Sequence, residues 1–332
     1  MNFPKSRLSR LRKNKEIRAL IQENTVGVND LITPIFVTEG LNKKVAIKSM
    51  PNYFCFSIDL LLKEIFECTS LGLNCFLLFA KIPESLKDNS GLEACNPKGL
   101  MQRSIKKIKS VFPNIILMSD VALDPYSIFG QDGIVKDNQI DNDITIDVLS
   151  EMALSHVDSG VDFVAPPDMM DGRVKSIRTI LEKNKYFKTG IMSYSAKYAS
   201  SFYGPFRDAL DSSPTSNMDK RSYQINPSNS KIAMLEAKQD ILEGADIIMI
   251  KPGMPYLDIL NMISKEYNVP VAVYQVSGEY SMIYSAHIKG WLNLDDVIIE
   301  SCIAFKRAGA TLISTYFSKK IAKLISEKKF YL

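Results

Sequence analysis

The stretch DIIMIKPG, residues 246–253, carries an unbroken apolar run that leads into a lysine and ends at a Pro-Gly pair. A short apolar run bounded by proline and glycine predicts a strand of a buried parallel sheet. Because side chains alternate along a strand, Ile247, Met249 and Lys251 are expected on one face. Lys251 is therefore predicted at the carboxyl end of a buried strand.

A lysine at the end of a buried strand can take either of two roles. Burial disfavours the ammonium form and lowers the pKa from about 10.4, which makes a neutral amine available. Such an amine can attack a carbonyl and form a Schiff base. The alternative is a structural lysine whose side chain extends past the strand and pairs with a carboxylate in a loop.

The rest of the chain alternates strand-like apolar runs with segments of helical spacing. The predicted strands are 30–37, 74–80, 114–123, 161–165, 189–196, 246–251, 269–276 and 310–316. The predicted helices are 58–71, 100–112, 144–159, 173–186, 230–243, 256–267, 294–307 and 319–329. The turn-rich segment 81–98 is predicted to be a loop, and the segment 198–228 a long polar insertion.

This alternation predicts the fold class. Repeated strand–helix units require a parallel sheet with right-handed crossovers, and eight units of this length favour a closed (β/α)8 TIM barrel. We assign residues 25–332 to the barrel and residues 1–24 to an N-terminal arm. A doubly wound open sheet is the alternative, but no G-x-G-x-x-G motif follows the first predicted strand.

Polar residues stand at the carboxyl ends of several predicted strands, where such barrels collect their catalytic groups. They are Asp120 and Asp124 on the third strand, Ser193, Ser195 and Lys197 on the fifth, Ser277 on the seventh, and Ser314 and Tyr316 on the eighth. Alternation places Ser193, Ser195 and Lys197 on one inward face. The two small serines there would leave space for a cavity.

Lys197 and Lys251 are predicted at the ends of neighbouring strands. Such strands lie about 4.8 Å apart, so both amines can reach one pocket. Two close ammonium groups repel each other, which lowers at least one pKa and provides a nucleophile near neutral pH. In the alternative arrangement, one lysine pairs with Asp120 or Asp124 and the other is exposed.

Long motifs surround both lysines. They are MSYSAKYASSFYGPFRDA at residues 192–209, EGADIIMIKPG at 243–253 and QVSGEY at 275–280. These motifs resemble the signatures of the porphobilinogen synthase (5-aminolevulinate dehydratase) family, and residues 30–40 and 165–173 also match. The resemblance implies a TIM-barrel hydro-lyase of tetrapyrrole (haem) biosynthesis, which joins two 5-aminolevulinate molecules into porphobilinogen with loss of two waters.

The resemblance also implies roles for individual residues. Lys197 and Lys251 would each hold one substrate as a Schiff base, with Asp120 as a further catalytic candidate. One substrate carboxylate would be bound by Arg207, Lys220 and Gln224, and the other by the hydroxyls of Ser277 and Tyr316. Tyr203, Phe206 and Tyr274 would form aromatic walls, and residues 204–226 a closing lid. The alternative for Arg207, Lys220 and Gln224 is a solvated loop. The alternative for Ser277 and Tyr316 is ordinary packing at a strand end.

Residues 119–133 match the family's metal loop. Zinc-using members carry three cysteines there, whereas this chain has Ala122, Asp124 and Asp132. Carboxylates suit hard ions such as Mg²⁺ or K⁺, so no active-site zinc is expected. Asp124 and Asp132 would bind such a cation, or would act on Lys197 and on water as charges. Phe129 stands where the family often has histidine, which removes a polar partner.

A second metal position is implied outside the active site. Glu236 matches the site at which some family members bind Mg²⁺ between subunits, through one carboxylate and several waters. Asp168 and Arg173 would support this outer site. The alternative is a solvated glutamate on the exposed face of a helix.

Charge and cysteine content bound the partners and the compartment. Residues 1–20 carry seven Lys/Arg and one acidic residue, whereas the remainder has 34 basic and 36 acidic residues. The body therefore has no charge excess typical of nucleic-acid binding. The five cysteines form no C-x-x-C pair, and no apolar run approaches 18 residues. We expect a cytoplasmic protein that contacts neither membrane nor nucleic acid.

The basic arm is expected to be solvated or to dock on another subunit, because Leu8, Leu11, Ile17 and Leu20 interrupt its charges. The resemblance implies that it embraces a neighbour in an allosteric homo-octamer. Two other functions stay open at this point. An aldolase-like barrel would use a single Schiff-base lysine, and a catalytically idle barrel would serve as a binding or scaffold protein.

Overall fold

Eight parallel strands close into a barrel in this computed structural model, which describes residues 2–212 and 219–330. The barrel strands are β1 Leu31–Thr38, β2 Cys75–Lys81, β3 Ile116–Asp120, β4 Phe163–Ala165, β5 Gly190–Lys197, β6 Ile247–Lys251, β7 Val271–Gln275 and β8 Leu312–Thr315. Pairing of Leu31 with Ile313 and of Ile32 with Ser314 joins β1 to β8 and closes the barrel. The predicted (β/α)8 TIM barrel is confirmed.

Most helices cover the outside of the barrel, and the first lies in the N-terminal arm. They are α1 Lys15–Leu20, α2 Ile58–Ser70, α3 Leu100–Val111, α4 Asn142–Asp158, α5 Arg173–Lys183, α6 Gly204–Leu210, α7 Lys231–Glu243, α8 Leu257–Glu266, α9 Ser277–Ile288, α10 Leu294–Ala308 and α11 Ser318–Ser326. Strands covered on both faces must be apolar throughout, and every residue of β6 is buried. This requirement explains the unbroken apolar run in the stretch that precedes Lys251.

Two short strands, Lys44–Ala46 and Phe54–Phe56, extend the sheet beside the barrel. Phe54–Phe56 lies parallel to β1, with Cys55 opposite Phe36 and Phe56 opposite Val37. It therefore lies on the same edge of β1 as β8, beyond the last β1–β8 pair. A small hairpin, Val135–Lys136 with Gln139–Ile140, follows β3. The sequence did not predict these four short strands.

The fifth strand contains a β-bulge that the sequence did not predict. Ser193 lies opposite Ile248, but Ala196 lies opposite Ile250, so β5 carries one more residue than β6 over this interval. A bulge reverses which side chains face inward beyond it. Ser193 consequently faces the helix layer, where its hydroxyl donates to Asp240 at 2.7 Å. The prediction that Ser193 and Lys197 share an inward face is wrong.

The region after β7 also differs from prediction, because residues 277–288 form a helix. Ser277 is the first residue of α9 and does not belong to a strand. The carboxylate of Glu279 accepts from the backbone N–H of Val276 at 2.6 Å, which satisfies a donor at the start of this helix. The third strand is also shorter than predicted and ends at Asp120, so Asp124 lies in the following loop.

Residues 2–24 extend from the barrel with little structure of their own. A short 3-10 turn, Leu8–Arg12, is followed by α1, and neither element buries a residue. Leu8 and Leu20 are 67% and 83% exposed. Within residues 2–212 and 219–330, no helix combines the length and the apolar character needed to span a bilayer.

Candidate active site

The two predicted lysines meet at the carboxyl end of the barrel. β5 and β6 are neighbouring strands, and Lys197 lies directly opposite Lys251 in their register. Each residue is only 6% exposed, and both side chains line one small cavity of about 30 Å³. Asp120, Asp124 and Asp132 line the same cavity. Two amines and three carboxylates therefore share one small cavity.

The Lys251 amine is surrounded by aromatic rings. Its Nζ lies 4.7 Å from the ring centre of Tyr274, 5.0 Å from Phe206, 5.1 Å from Tyr194 and 5.3 Å from Tyr203. Within the described residues it makes neither a hydrogen bond nor an ion pair, so the alternative of a lysine paired with a loop carboxylate does not hold. We call these four rings and the amine the aromatic cage.

The cage makes Lys251 a weak base. Burial lowers the pKa of Lys251 to about 7, the positive charge of Lys197 adds to this effect, and Asp120 and Asp124 oppose it. Aromatic faces attract a cation, but the attraction replaces only part of the lost hydration. A substantial fraction of this amine is consequently neutral and nucleophilic near pH 7.

Lys197 has polar partners that Lys251 lacks. Its Nζ donates to the backbone carbonyl of Pro167 at 2.6 Å and lies 3.5 Å from Oδ2 of Asp132. Pro167 follows β4, so the carbonyl comes from the strand on the other side of β5. The two amines thus share a cavity but differ in what holds them.

Asp132 forms the anionic centre of the site. Its Oδ1 lies 3.4 Å from Nζ of Lys220, and its Oδ2 accepts from Nε2 of Gln224 at 3.4 Å. Burial opposes the charged carboxylate, but Lys197 and Lys220 outweigh this opposition and lower the pKa of Asp132 to about 2. Asp132 is therefore ionised and balances two buried ammonium groups.

Asp120 and Asp124 behave in the opposite way. Both are buried, and burial raises the pKa of each carboxyl above its usual range. Mutual repulsion also raises the pKa of Asp120, while Lys251 and Lys197 oppose the increase. A carboxyl with a raised pKa can hold a proton near neutral pH and can donate it to a reacting atom.

The residues predicted to bind one substrate carboxylate also line this cavity. α6 contributes Phe206 and Arg207, the turn before it contributes Tyr203, and Lys220 and Gln224 come from the segment that follows. Backbone hydrogen bonds between Ile225 and the end of β5 tie this segment to the barrel. Residues 213–218 of the predicted lid lie outside the described residues.

Ser277 and Tyr316 each contact a residue of the cage. The Tyr274 and Tyr316 hydroxyls are 2.9 Å apart, and the Ser277 hydroxyl accepts from the backbone N–H of Phe206 at 3.0 Å. Ser277 and Tyr316 do not line the cavity that contains the lysines. Tyr316 instead lines a neighbouring cavity beside β1 and α11.

Glu236 lies away from these groups, on α7. It lines a separate cavity together with Asp171, Arg173 and Asp240. Burial raises the pKa of Glu236 to about 6, although Arg173 opposes the increase. Arg173 also contacts Asp168 at 3.7 Å and Asp240 at 3.1 Å in the buried layer beneath this cavity.

Sequence reasoning missed two groups of the site. Tyr194 faces the cage only because of the bulge in β5, and strict alternation had placed it on the outer face. The Pro167 carbonyl is a backbone group, for which side-chain types give no signal. An irregularity of one residue in a strand leaves no mark in the apolar pattern, so neither group could have been found from it.

The closed barrel, with two buried lysines and three carboxylates in one cavity at the carboxyl ends of its strands, defines a (β/α)8 enzyme. A family model described as delta-aminolevulinic acid dehydratase matches residues 5–324. The delta-aminolevulinic acid dehydratase of Methanothermus sociabilis is 48% identical over 98% of this chain and 100% of its own length. That of Chlamydia pneumoniae is 48% identical over 96% of each chain.

A solved structure gives the same result. The Toxoplasma gondii ME49 enzyme, a porphobilinogen synthase in complex with the reaction product porphobilinogen, superposes with a TM-score of 0.95 at 46% identity. The match covers 97% of this chain and 92% of the other. The chain belongs to the delta-aminolevulinic acid dehydratase family, which confirms the family predicted from its lysine motifs and makes the protein a lyase.

The first prediction concerns the pKa of Lys251. Replacing Lys197 by methionine removes a positive charge that disfavours the Lys251 ammonium, so the pKa should rise above about 7. Competitive labelling of lysines across a pH series, followed by peptide mass spectrometry, measures this pKa. Lys81→Met, which removes an ion pair with Asp211 instead, is the control and should leave the value unchanged. An unchanged pKa in Lys197→Met would contradict the electrostatic coupling.

Proposed function

We propose that Lys197 and Lys251 each hold one molecule of 5-aminolevulinate as a Schiff base while the two substrates condense to porphobilinogen. The observation that carries this assignment is their direct opposition on β5 and β6 within one cavity. Family membership supplies the overall reaction, a condensation with loss of two waters. Holding both substrates in one cavity turns a bimolecular encounter into an intramolecular one.

The different surroundings of the two amines suit the chemistry of imine formation. The neutral Lys251 amine attacks the ketone of one substrate, and the resulting carbinolamine loses water to give an imine. Loss of water needs a proton donor, and the buried carboxyl of Asp120 has the raised pKa that this role requires. Lys197 reacts in the same way with the second substrate, and overall its ammonium and the ketone give water and a protonated imine, whose positive charge Asp132 balances.

The substrate carboxylates need cationic or hydroxyl partners. Arg207, Lys220 and Gln224 line the lysine cavity and offer charged and neutral donors, which suits one carboxylate. Ser277 and Tyr316 contact the cage residues Phe206 and Tyr274 and offer hydroxyls for the other. Because α6 carries Phe206 and Arg207, we infer that the described parts of the predicted lid, residues 204–212 and 219–226, move to admit substrate and then exclude water.

Schiff-base chemistry at both lysines can be tested by trapping. Borohydride added with 5-aminolevulinate should reduce imines at Lys197 and at Lys251, and peptide mapping should find both adducts. Lys197→Arg and Lys251→Arg should each lose their own adduct and lower activity by at least about 10³-fold, because arginine cannot form the imine. Lys175→Arg, on the outside of the barrel, is the control. An adduct at one lysine alone would favour an aldolase-like enzyme, and adducts at neither would favour a scaffold.

The carboxylates of the active site fit a role as charges better than a role as metal ligands. Both oxygens of Asp132 already face ammonium groups, and Lys220 lowers the pKa of Asp124 against the effect of burial. No group of three His, Cys, Asp or Glu side chains suited to a metal occurs within residues 2–212 and 219–330. This donor set gives zinc no thiolate, and no step proposed above runs through a metal at this position.

The surroundings of Glu236 fit a hard cation. Its carboxylate lines a cavity with three further carboxylates and Arg173, and burial disfavours its charge more than Arg173 favours it. We infer that Glu236 binds Mg²⁺ together with waters, as suits an ion that keeps most of its hydration shell. A bound cation there would supply positive charge next to the buried Arg173–Asp240 pair. Such a site would modulate the enzyme without taking part in the reaction.

The metal assignment predicts opposite responses to two ions. A zinc-selective chelator should leave activity unchanged, whereas removal of Mg²⁺ should lower it about fivefold or more, with recovery on adding Mg²⁺. Glu236→Gln should abolish the response to Mg²⁺, and Glu266→Gln, an exposed carboxylate on α8, should preserve it. Steady-state assays in metal-stripped buffer provide the measurement. Loss of activity that only zinc restores would contradict the assignment.

The arm supports an oligomer, for which we propose an octamer. Its leucines Leu8, Leu11 and Leu20 are largely exposed, while its charges keep it hydrated. Docking on a second copy would bury them and yield about 25 cal/mol for each square ångström of apolar surface removed from water.

The five cysteines are free thiols, which suits a reducing compartment such as the cytoplasm.

Assembly through the arm can be tested by mass. Deleting residues 1–20 should lower the oligomer mass measured by light scattering, and Leu8→Glu should weaken assembly because it places a charge in the contact. Leu41→Glu, a similarly exposed leucine outside the arm, is the matched control and should leave the mass unchanged. An unchanged mass after the deletion would refute the docking role.

A further inference from the structure

Glu279 is a fully buried carboxylate for which the proposed reaction gives no role. It is 0% exposed and lies in the first turn of α9, at the carboxyl end of the barrel. Its Oε2 accepts from the backbone N–H of Val276 at 2.6 Å and from that of Gly253 at 3.2 Å. Its Oε1 accepts from the backbone N–H of Met254 at 2.6 Å. One side chain thus joins the ends of β6 and β7.

These contacts go beyond what the helix requires. Capping α9 needs only the bond to Val276, whereas Gly253 and Met254 lie 26 and 25 residues away in the chain. Burying a carboxylate without a cation is costly, and among the described residues no Lys, Arg or His pairs with Glu279. Burial accordingly raises its pKa to about 7, while the three backbone donors act in the opposite direction. The buried charge is balanced only by backbone groups.

The loop that Glu279 holds begins at Lys251. Gly253 packs so closely on β7 that a Cβ atom there would come within 3.1 Å of the Tyr274 carbonyl and 2.8 Å of the Phe305 ring. Tyr274 is also the cage ring nearest to the amine. Because the described part of the chain offers no hydrogen bond to the Lys251 nitrogen, its position depends on its backbone and on the rings around it. The Glu279 bonds act on that backbone two and three residues beyond the lysine.

We propose that Glu279 is a positioning residue that keeps the Lys251 nitrogen inside the aromatic cage by tying the loop after β6 to the start of α9. This proposal rests on the proposed Schiff-base role of Lys251. Misplacing a reacting atom by about 1 Å can lower a rate about 10²-fold, so loss of the tie should impair Lys251 selectively. Lys197 lies on β5 and is held by Pro167 and Asp132, which Glu279 does not touch.

Glu279→Gln tests the proposal because glutamine has the same shape but only one acceptor oxygen. In either orientation its NH₂ group faces at least one backbone N–H, so one or two of the three bonds are lost. Levulinate, a 4-keto acid without the amino group, can form an imine but cannot condense, and it serves as the probe. Borohydride trapping followed by mass spectrometry of the two lysine peptides gives the rates of adduct formation in one sample.

The ratio of the two adducts separates positioning from general structural damage. In Glu279→Gln the rate at Lys251 should fall about tenfold or more relative to the rate at Lys197. Asp246→Asn is the matched control, because Asp246 accepts from the backbone N–H of Ile191 at 2.8 Å and ties the other end of β6. That variant should leave the ratio unchanged. Glu279→Asp retains the charge on a shorter side chain, and it should lower the ratio less than Glu279→Gln does.

Each outcome decides between the two proposals. An unchanged ratio in Glu279→Gln, or an equal fall at both lysines, would overturn the positioning role and leave the proposed Schiff bases intact. Absence of a Lys251 adduct in the unaltered protein would overturn the proposed function and the positioning role together.

Discussion

The active site depends on the burial of one lysine, Lys251, whose amine has no carboxylate partner among the described residues. The Lys251 nitrogen has four aromatic rings around it and makes no hydrogen bond within the described residues. A charge in such surroundings loses hydration that ring faces cannot fully replace, so the neutral amine gains population near pH 7. The barrel makes this possible because Lys251 is the last residue of a strand that is buried on both faces.

The neighbouring charges are arranged so that the site tolerates two lysines. Asp132 is ionised and faces both Lys197 and Lys220, which leaves Lys251 as the amine without a direct counter-ion. Asp120 and Asp124 are raised in pKa by the same burial that lowers the pKa of Lys251. One low-dielectric space thus favours the neutral form of a base and of two acids. Such a combination allows proton transfer without bringing in bulk water.

The sequence was most informative where the fold imposes a simple pattern. The apolar run before Lys251 predicted its strand, and the pairing of Lys197 with Lys251 followed from strand adjacency. The failures have local causes. A one-residue bulge turned Ser193 outward and Tyr194 inward. Helix α9 was not predicted, because its segment mixes apolar, aromatic and small polar residues without a clear helical period. Contacts such as that between Glu279 and Met254 join distant segments, and periodicity carries no information about them.

The way the barrel closes has a consequence for the newly made chain. β1 and β8 share two residue pairs, and these come from segments separated by nearly the whole barrel sequence. Until β8 is synthesised, that edge of β1 offers unpaired backbone groups to any other strand, which is a risk for aggregation. The short strand Phe54–Phe56 covers the carboxyl-terminal part of the same edge and follows β1 closely in sequence. It can therefore block intermolecular strand pairing at this edge during translation, before β8 closes the barrel.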